Sequence, residues 1–287
     1  MFSDSGNRTW NRSFFCPLPT VLSIRQNFKL AKKGSSSFAE VSSFEKVFFL
    51  HIPKTGGESV NHLFRQSRAQ EQYVEHMENL DSSIIGPGFP EGKTFVSGHI
   101  PFPRVRHLFG KPSGWSLITF VRNPFAHLLS HLSWTRNLFS SPAVFSKVPP
   151  EIQRVSRIMS ETDFNDFASL EAFFKDMPSE ALCLFDNRQV RYFSDPDDYA
   201  TVSEGDCRKA METADQFDYI GLFEDFDHSM RMLIDRLPFE VSADAIPHKN
   251  KHNPKIIRDE SLLPALREMT TSLTSFDDKL YQRIKTI

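Results

Sequence analysis

Cysteine is scarce in this chain: Cys16, Cys183 and Cys207 are the only three among 287 residues. An odd and widely spaced set makes neither a disulfide framework nor a Cys-x-x-Cys metal hook, so a reducing compartment is expected. A charge excess is missing too. The 34 Lys and Arg meet 36 Asp and Glu, for a formal net charge of −2. That balance argues against a nucleic-acid partner and confines any anion site to a local cluster. No long apolar run occurs either. The nearest candidate, Phe14 to Ile24, is broken by Pro17 and Pro19 and is too short to span a bilayer. It also lacks a small-residue cleavage site. The expectation is a soluble, cytoplasmic protein without a transmembrane segment, and without internal repeats.

Phenylalanine is abundant instead. The 28 Phe residues within 39% hydrophobic composition predict an aromatic-rich interior, with rings to spare for a substrate cleft. Residues 1–43 are rich in Ser, Arg and Asn and read as a loosely ordered extension. A single domain is expected over 44–287. Four short apolar runs read as strands: Val47–Leu50, Thr94–Ser97, Trp115–Val121 and Tyr219–Leu222.

Helical spacing places Val60, Leu63 and Phe64 on one helix, and Phe125, Leu128, Leu129 and Leu132 on another. Ser140 to Pro150 reads as a proline-interrupted connector. Two helices are expected between Asp163 (a candidate N-cap) and Phe193, with others over 204–217 and 225–237 and from Glu260 onward. Strands alternating with helices predict an α/β fold with a mostly parallel central sheet flanked by helices.

The most informative stretch is His51-Ile52-Pro53-Lys54-Thr55-Gly56-Gly57-Glu58-Ser59, between the first strand and the first helix. A helix N-terminus at the carboxyl edge of a parallel sheet is a phosphate site, because its amides point outward unpaired. The two glycines let backbone N–H groups approach an anion closely. Lys54 adds a mobile positive charge, and Thr55 and Ser59 offer hydroxyls. A nucleoside-triphosphate loop would put its lysine after the glycines; here Lys54 precedes Gly56 and Gly57. That order resembles the 5′-phosphosulfate loop of sulfotransferases that use 3′-phosphoadenosine 5′-phosphosulfate (PAPS), in particular the heparan sulfate 2-O- and 6-O-sulfotransferases.

Further segments resemble that family in the same order along the chain. Phe120-Val121-Arg122-Asn123-Pro124 closes a strand and opens a helix carrying Ser130. It resembles the 3′-phosphate site, although aspartate is the family's usual residue where Asn123 stands. Ser97-Gly98-His99 resembles the strand-end Gly-His whose histidine is the general base. Asn187-Arg188-Gln189-Val190-Arg191 resembles an Asn-x-Gln-x-Arg segment of the 6-O branch. There Asn187, Gln189 and Arg191 would line the acceptor side or brace the nucleotide pocket; a solvated polar helix face is the plain alternative. The basic run Pro247 to Lys255, with Lys249 and Lys251, stands where family members close a loop over the nucleotide.

The resemblance implies a P-loop-like sulfotransferase fold and PAPS as co-substrate, with no metal. It implies Lys54 and His99 as catalytic groups and backbone N–H groups from Thr55 through Ser59, including Gly56, Gly57 and Glu58, around the 5′-phosphate. Arg122 and Ser130 would hold the 3′-phosphate. The implied acceptor is a hydroxyl of a glycan or glycoconjugate, with small alcohols, lipids and tyrosine left open, and the near-neutral chain favours a short or weakly charged glycan. Two other classes are weighed beside it: an ATP-dependent small-molecule kinase, which the lysine order disfavours, and a non-catalytic nucleotide- or glycan-binding module. The histidine pairs His127/His131 and His248/His252 lack the glutamate of a zinc helix and read as non-ligands. His51 could compete as base, and Asp195, Asp197 and Asp198 read as a solvated turn.

Overall fold

The computed structural model describes residues 43–67, 70–80, 89–109, 114–239 and 256–286. The extension over 1–42 and the segment with Lys249 and Lys251 lie outside these residues. Five strands form one all-parallel sheet: β1 (Val47–Leu50), β2 (Tyr73–Val74), β3 (Phe95–Gly98), β4 (Ser116–Val121) and β5 (Tyr219–Leu222), in the order β2-β3-β1-β4-β5. All four β1 side chains are buried. Val47 and Phe49 enter one core and Phe48 and Leu50 the other, because successive side chains point to opposite faces. A strand covered on both sides therefore reads as an unbroken apolar run. The four expected strands form within one residue of their expected bounds. β2 is an addition; two residues are too few to carry a period.

One face of the sheet is covered by α1 (Gly57–Ser67), through Val60, Leu63 and Phe64, and by α10 (Phe226–Ile234), through Met230 and Leu233. The other face packs α2 (Phe102–Phe109), α8 (Arg188–Ser194), α9 (Glu204–Ala214) and α12 (Thr271–Ile284). A third core lies among the helices away from the sheet and takes Val148, Phe164, Ile256 and Ile257 from the connecting segments. It joins α3 (Pro124–Leu138), α5 (Pro150–Glu161), α6 (Phe167–Lys175), α7 (Leu182–Phe185) and α11 (Leu263–Met269). Phe49, Phe64, Phe95, Phe102, Phe120, Phe164, Phe185 and Phe193 are fully buried across the three cores, as the phenylalanine content predicts. Each such ring contributes roughly 1.5–3 kcal/mol.

Three local expectations are corrected. The connector after Ser140 carries a short helix, α4 (Pro142–Phe145), and Pro150 begins α5 rather than a loop. Proline suits a first helical turn, where its missing N–H has no intrahelical partner, and Ile152, Val155 and Met159 then form the buried stripe. Asp166, not Asp163, caps α6, accepting from Ser169 N; Asp163 accepts from Asn165 N in a tight local turn. The stretch from Asp163 to Phe193 divides further than two helices. Pro178 and the left-handed Asn187 (φ 44°) interrupt it, leaving α6, a 3-10 turn, α7 and α8. No helix among the described residues is long and apolar enough to cross a membrane.

Candidate active site

β1 lies between β3 and β4, with Leu50 in register with Gly98 on one side and Thr119 on the other. The residues that leave these three strands therefore share one carboxyl edge: the loop from His51, His99 after β3, and Arg122 after β4. The chain leaves β1 toward β2 on one side and β4 toward β5 on the other, so connections diverge between β1 and β4. Open parallel sheets hold ligands at such a crevice.

The β1 loop turns sharply through two left-handed residues, Lys54 (φ 70°) and Gly56 (φ 90°). Thr55 is fully buried, and its hydroxyl donates to Ile52 O at 2.8 Å, so its side chain braces the loop. At Gly57, the first residue of α1, a Cβ would fall 2.0 Å from the His51 ring. Glycine is therefore required there by contact, while Gly56 is required by backbone conformation. Ser59 is buried one turn into α1, and its N–H donates to Gly56 O at 3.0 Å.

Lys54 and Arg122 meet at the crevice. Arg122 Nη1 donates to Lys54 O at 3.1 Å, and its guanidinium lies 4.4 Å from the centre of the Phe223 ring. Its Nε is buried without a hydrogen-bond partner among the described residues. Burial, then the neighbouring Arg122, pulls the Lys54 pKa below its usual value. Burial also lowers that of Arg122, with Glu224 acting the other way. The Glu224 carboxylate itself accepts from Asn123 N at 2.7 Å and Tyr281 OH at 2.8 Å. Two half-buried cations thus lie side by side beneath a helix N-terminus, an arrangement that an external anion would relieve.

Supporting groups fix this pair. Gln189 holds the Arg122 backbone from both sides: its Oε1 accepts from Arg122 N and its Nε2 donates to Arg122 O, each at 2.8 Å. His127 Nε2 donates to Pro53 O at 2.8 Å, tying α3 to the loop, and burial holds its pKa down to about 3. Asn123 caps α3 by accepting from Ala126 N at 3.1 Å, with Pro124 following as the first helical residue. Ser130 is half-buried two turns along the same helix.

On the β3 side, His99 is gripped twice by Glu78. Its backbone N–H donates to Glu78 Oε2 at 2.9 Å, and its Nδ1 lies 2.8 Å from Oε1. Glu78 sits in the 3-10 turn Met77–Asn79 and is buried. Burial opposes its charge, but His99 and His76 together hold its carboxyl well below the usual range. His76 Nδ1 is 3.0 Å from Glu78 Oε1, and its Nε2 is 3.3 Å from Glu58 Oε1. Burial works against the charged His76 ring, yet these two carboxylates raise its pKa to about 10. In return, the hydrogen bond from His76 lowers Glu58. His51 packs beside them, its ring centroid 4.2 Å from that of His99, and burial drives its pKa well down. A Glu78 that accepts from His99 Nδ1–H leaves Nε2 as the proton acceptor of the neutral ring.

The remaining candidates divide. Asn187 is fully buried: its Oδ1 accepts from Phe276 N and Asp277 N, and its Nδ2 donates to Asp186 Oδ1 and Ser272 O. The geometry makes it a bracket between α8 and α12, not an acceptor ligand. Arg191 is also buried, pairing with Asp186 Oδ2 at 2.7 Å and bonding Asp197 O and Ala200 O, yet it borders the cleft beside His99. Neither lies on a solvated helix face. Asp195 and Asp198 correct the solvated-turn reading: Asp195 pairs with Arg104 at 2.7 Å, and burial raises the Asp198 pKa. With His99, Arg188, Tyr192 and Tyr199, these residues line a cleft beside the histidine. Glu78 and His76 carry no motif in the sequence; only the fold brings them to the β3 edge.

No protein-family model and no curated protein matches the chain. Among solved structures, mouse sulfotransferase SULT7A1 complexed with PAP aligns over 87% of this chain and 90% of that chain, with 11% identity and a TM-score of 0.42.

Proposed function

We propose that this chain is a sulfotransferase that moves the sulfuryl group of PAPS to an acceptor hydroxyl, with a glycan as the acceptor class. One observation carries the reading: Lys54 and Arg122, half-buried side by side without a carboxylate ion pair among the described residues, face a Glu78-held histidine across β1. An anion with two separated phosphates fits the first group, and a hydroxyl to be deprotonated fits the second.

Sulfuryl transfer, like phosphoryl transfer, depends on positioning and on stabilising charge. The acceptor oxygen forms a bond to sulfur as the bond from sulfur to the bridging phosphate oxygen breaks. His99 Nε2 takes the acceptor proton, and adenosine 3′,5′-bisphosphate leaves with the bonding pair. Lys54 stabilises negative charge growing on the bridging oxygen. The α1 N-terminal amides hold the 5′-phosphate; Arg122 and Ser130 hold the 3′-phosphate. Lys249 and Lys251 would add positive charge over the nucleotide. The tyrosines and charged groups of the cleft beside His99 suit a polar, ring-shaped acceptor and support the glycan assignment.

Calorimetry with adenosine 3′,5′-bisphosphate, AMP and ATP tests the donor, and an acceptor screen with radiolabelled PAPS tests the transfer. Tight binding of the bisphosphate alone is expected. Equal affinity for AMP removes the 3′-site, and preference for ATP returns the kinase reading.

A further inference from the structure

The three histidines on the β3 side come from places far apart in sequence: the end of β1, the turn after β2, and the end of β3. Yet one ring nitrogen from each of His51, His76 and His99 lies within 4.8 Å of the others. We infer that these residues form a binding site for a single divalent transition-metal ion, zinc in the first instance, with Glu58 as fourth ligand.

Four observations support it. First, His76 and His99 both point Nδ1 at the same oxygen of Glu78, at 3.0 and 2.8 Å. A carboxylate that accepts Nδ1–H from two imidazoles, the usual outer support of a metal-binding histidine, leaves Nε2 of His99 free to ligate, and Nε2 of His76 free once an ion displaces the proton it now shares with Glu58. Second, His76 Nε2 stands 3.3 Å from Glu58 Oε1. Two ligands on a tetrahedral zinc, with bonds of about 2.0–2.1 Å, are separated by roughly that distance. Third, His51 is 4% exposed and its Nδ1 is buried without a hydrogen-bond partner among the described residues. A buried polar atom left unpaired is costly, and coordination would satisfy it. Fourth, His76 is held in the left-handed conformation (φ 53°) that non-glycine residues rarely adopt, the kind of backbone outlier that collects at functional sites.

The donor set is three imidazoles and one carboxylate, which suits zinc and cobalt rather than calcium or magnesium. Ligation would draw the three nitrogens together from their present separation. It would also occupy the His99 lone pair, so a bound ion and a proton-accepting His99 exclude one another. The ion is thus an inhibitor of the proposed transfer, and the site makes catalysis sensitive to free zinc.

The test uses the full chain, purified without a histidine tag and stripped with chelator, then titrated with Co2+ while its visible d–d absorption is followed. A 1:1 end point with the intense spectrum of four-coordinate cobalt is expected, displaced by Zn2+. Glu78→Gln should weaken the ion by about 10–100-fold, and His76→Ala should weaken it further, while circular dichroism confirms that each variant is folded. Should His76→Ala fail to fold, Glu58→Gln removes a ligand on the surface of α1 and serves in its place. Absence of a four-coordinate cobalt spectrum in the unmodified protein overturns the site, as does unchanged affinity in the ligand variants. None of these readouts involves sulfuryl transfer, so the metal site and the proposed reaction stand or fall separately.

Discussion

On the β4 side of β1, Lys54 and Arg122 stand half-buried, their pKa values depressed, with no ion pair to a carboxylate among the described residues. On the β3 side, two of the three histidines, His76 and His99, are met by Glu58 and Glu78, and their charge is settled within the protein. The two sides are a few residues apart on one sheet edge, yet their electrostatics are opposite. Unpaired buried cations are costly and are kept where an arriving anion completes them. A histidine held by a buried carboxylate is already complete: its tautomer and orientation are fixed before any ligand comes. The first side is arranged to bind, the second to take a proton, and each should fail differently when cut.

The largest effect is expected on the histidine side. His99→Ala should lower turnover by about 10²–10⁴-fold, the usual span for a positioned general base. The bisphosphate affinity should stay near that of the unmodified protein, because His99 stands on the β3 side of β1; the melting temperature should fall, because buried Glu78 loses a partner, while circular dichroism shows the variant still folded. Near-normal turnover would make His99 structural. On the lysine side the loss should appear in binding. Arg122→Ala should weaken adenosine 3′,5′-bisphosphate by about 10–100-fold, as expected for a charge-assisted contact of ~1.5–3 kcal/mol, and leave AMP little changed. An equal loss for AMP would erase the distinction between the two phosphate positions.

How much of this was legible in the sequence differs between the two sides for a physical reason. Lys54, Gly56 and Gly57 sit in one contiguous loop, and Arg122 ends an apolar strand, so short motifs reveal them. The residues that hold them are another matter. Gln189 grips Arg122 across 67 residues, and His127 reaches Pro53 across 74. Neither contact leaves a periodic trace. On the histidine side only His99 follows a readable strand. Glu78 and His76 come from a turn beside a two-residue strand that no hydrophobic pattern announces. Of the fold, β1, β3 and β4 were readable because both of their faces are buried, and β5, half-buried at the sheet edge, because its residues are still an apolar run. α5 was not expected because its prolines look like a connector until Pro150 is recognised as a helix start.

A smaller effect separates the two glycines of the loop from a generic turn. Gly57→Ala places a methyl where the His51 ring now lies, 2.0 Å from its nearest atom. Since His51 is wedged between Phe49 and His99, it has little room to yield. Overpacking of this kind costs about 1–3 kcal/mol, which should appear as a lowered melting temperature together with weaker bisphosphate binding. If only binding changed, the His51 contact would not be what fixes the loop.

The smallest effect is a slope, and it tests whether the lysine side owes its rigidity to a neutral histidine. His127 is 1% exposed, donates to Pro53 O, and has its pKa held down to about 3 from the ordinary 6.5, chiefly by burial. Its folded pKa lies below the unfolded one, so unfolding takes up a proton between pH 6.5 and about 3. The stability associated with the neutral ring is therefore present above pH 6.5 and is lost as pH falls through that window. One proton corresponds to ~1.4 kcal/mol per pH unit at full difference. Urea unfolding of the unmodified protein should weaken with acid more steeply than that of His127→Gln, whose amide can still donate to Pro53 O but cannot titrate. The two curves should run parallel above pH 7 and converge below pH 6. Parallel curves throughout would show that His127 ionises freely in the folded protein, and the buried tie between α3 and the phosphate loop would have to be abandoned.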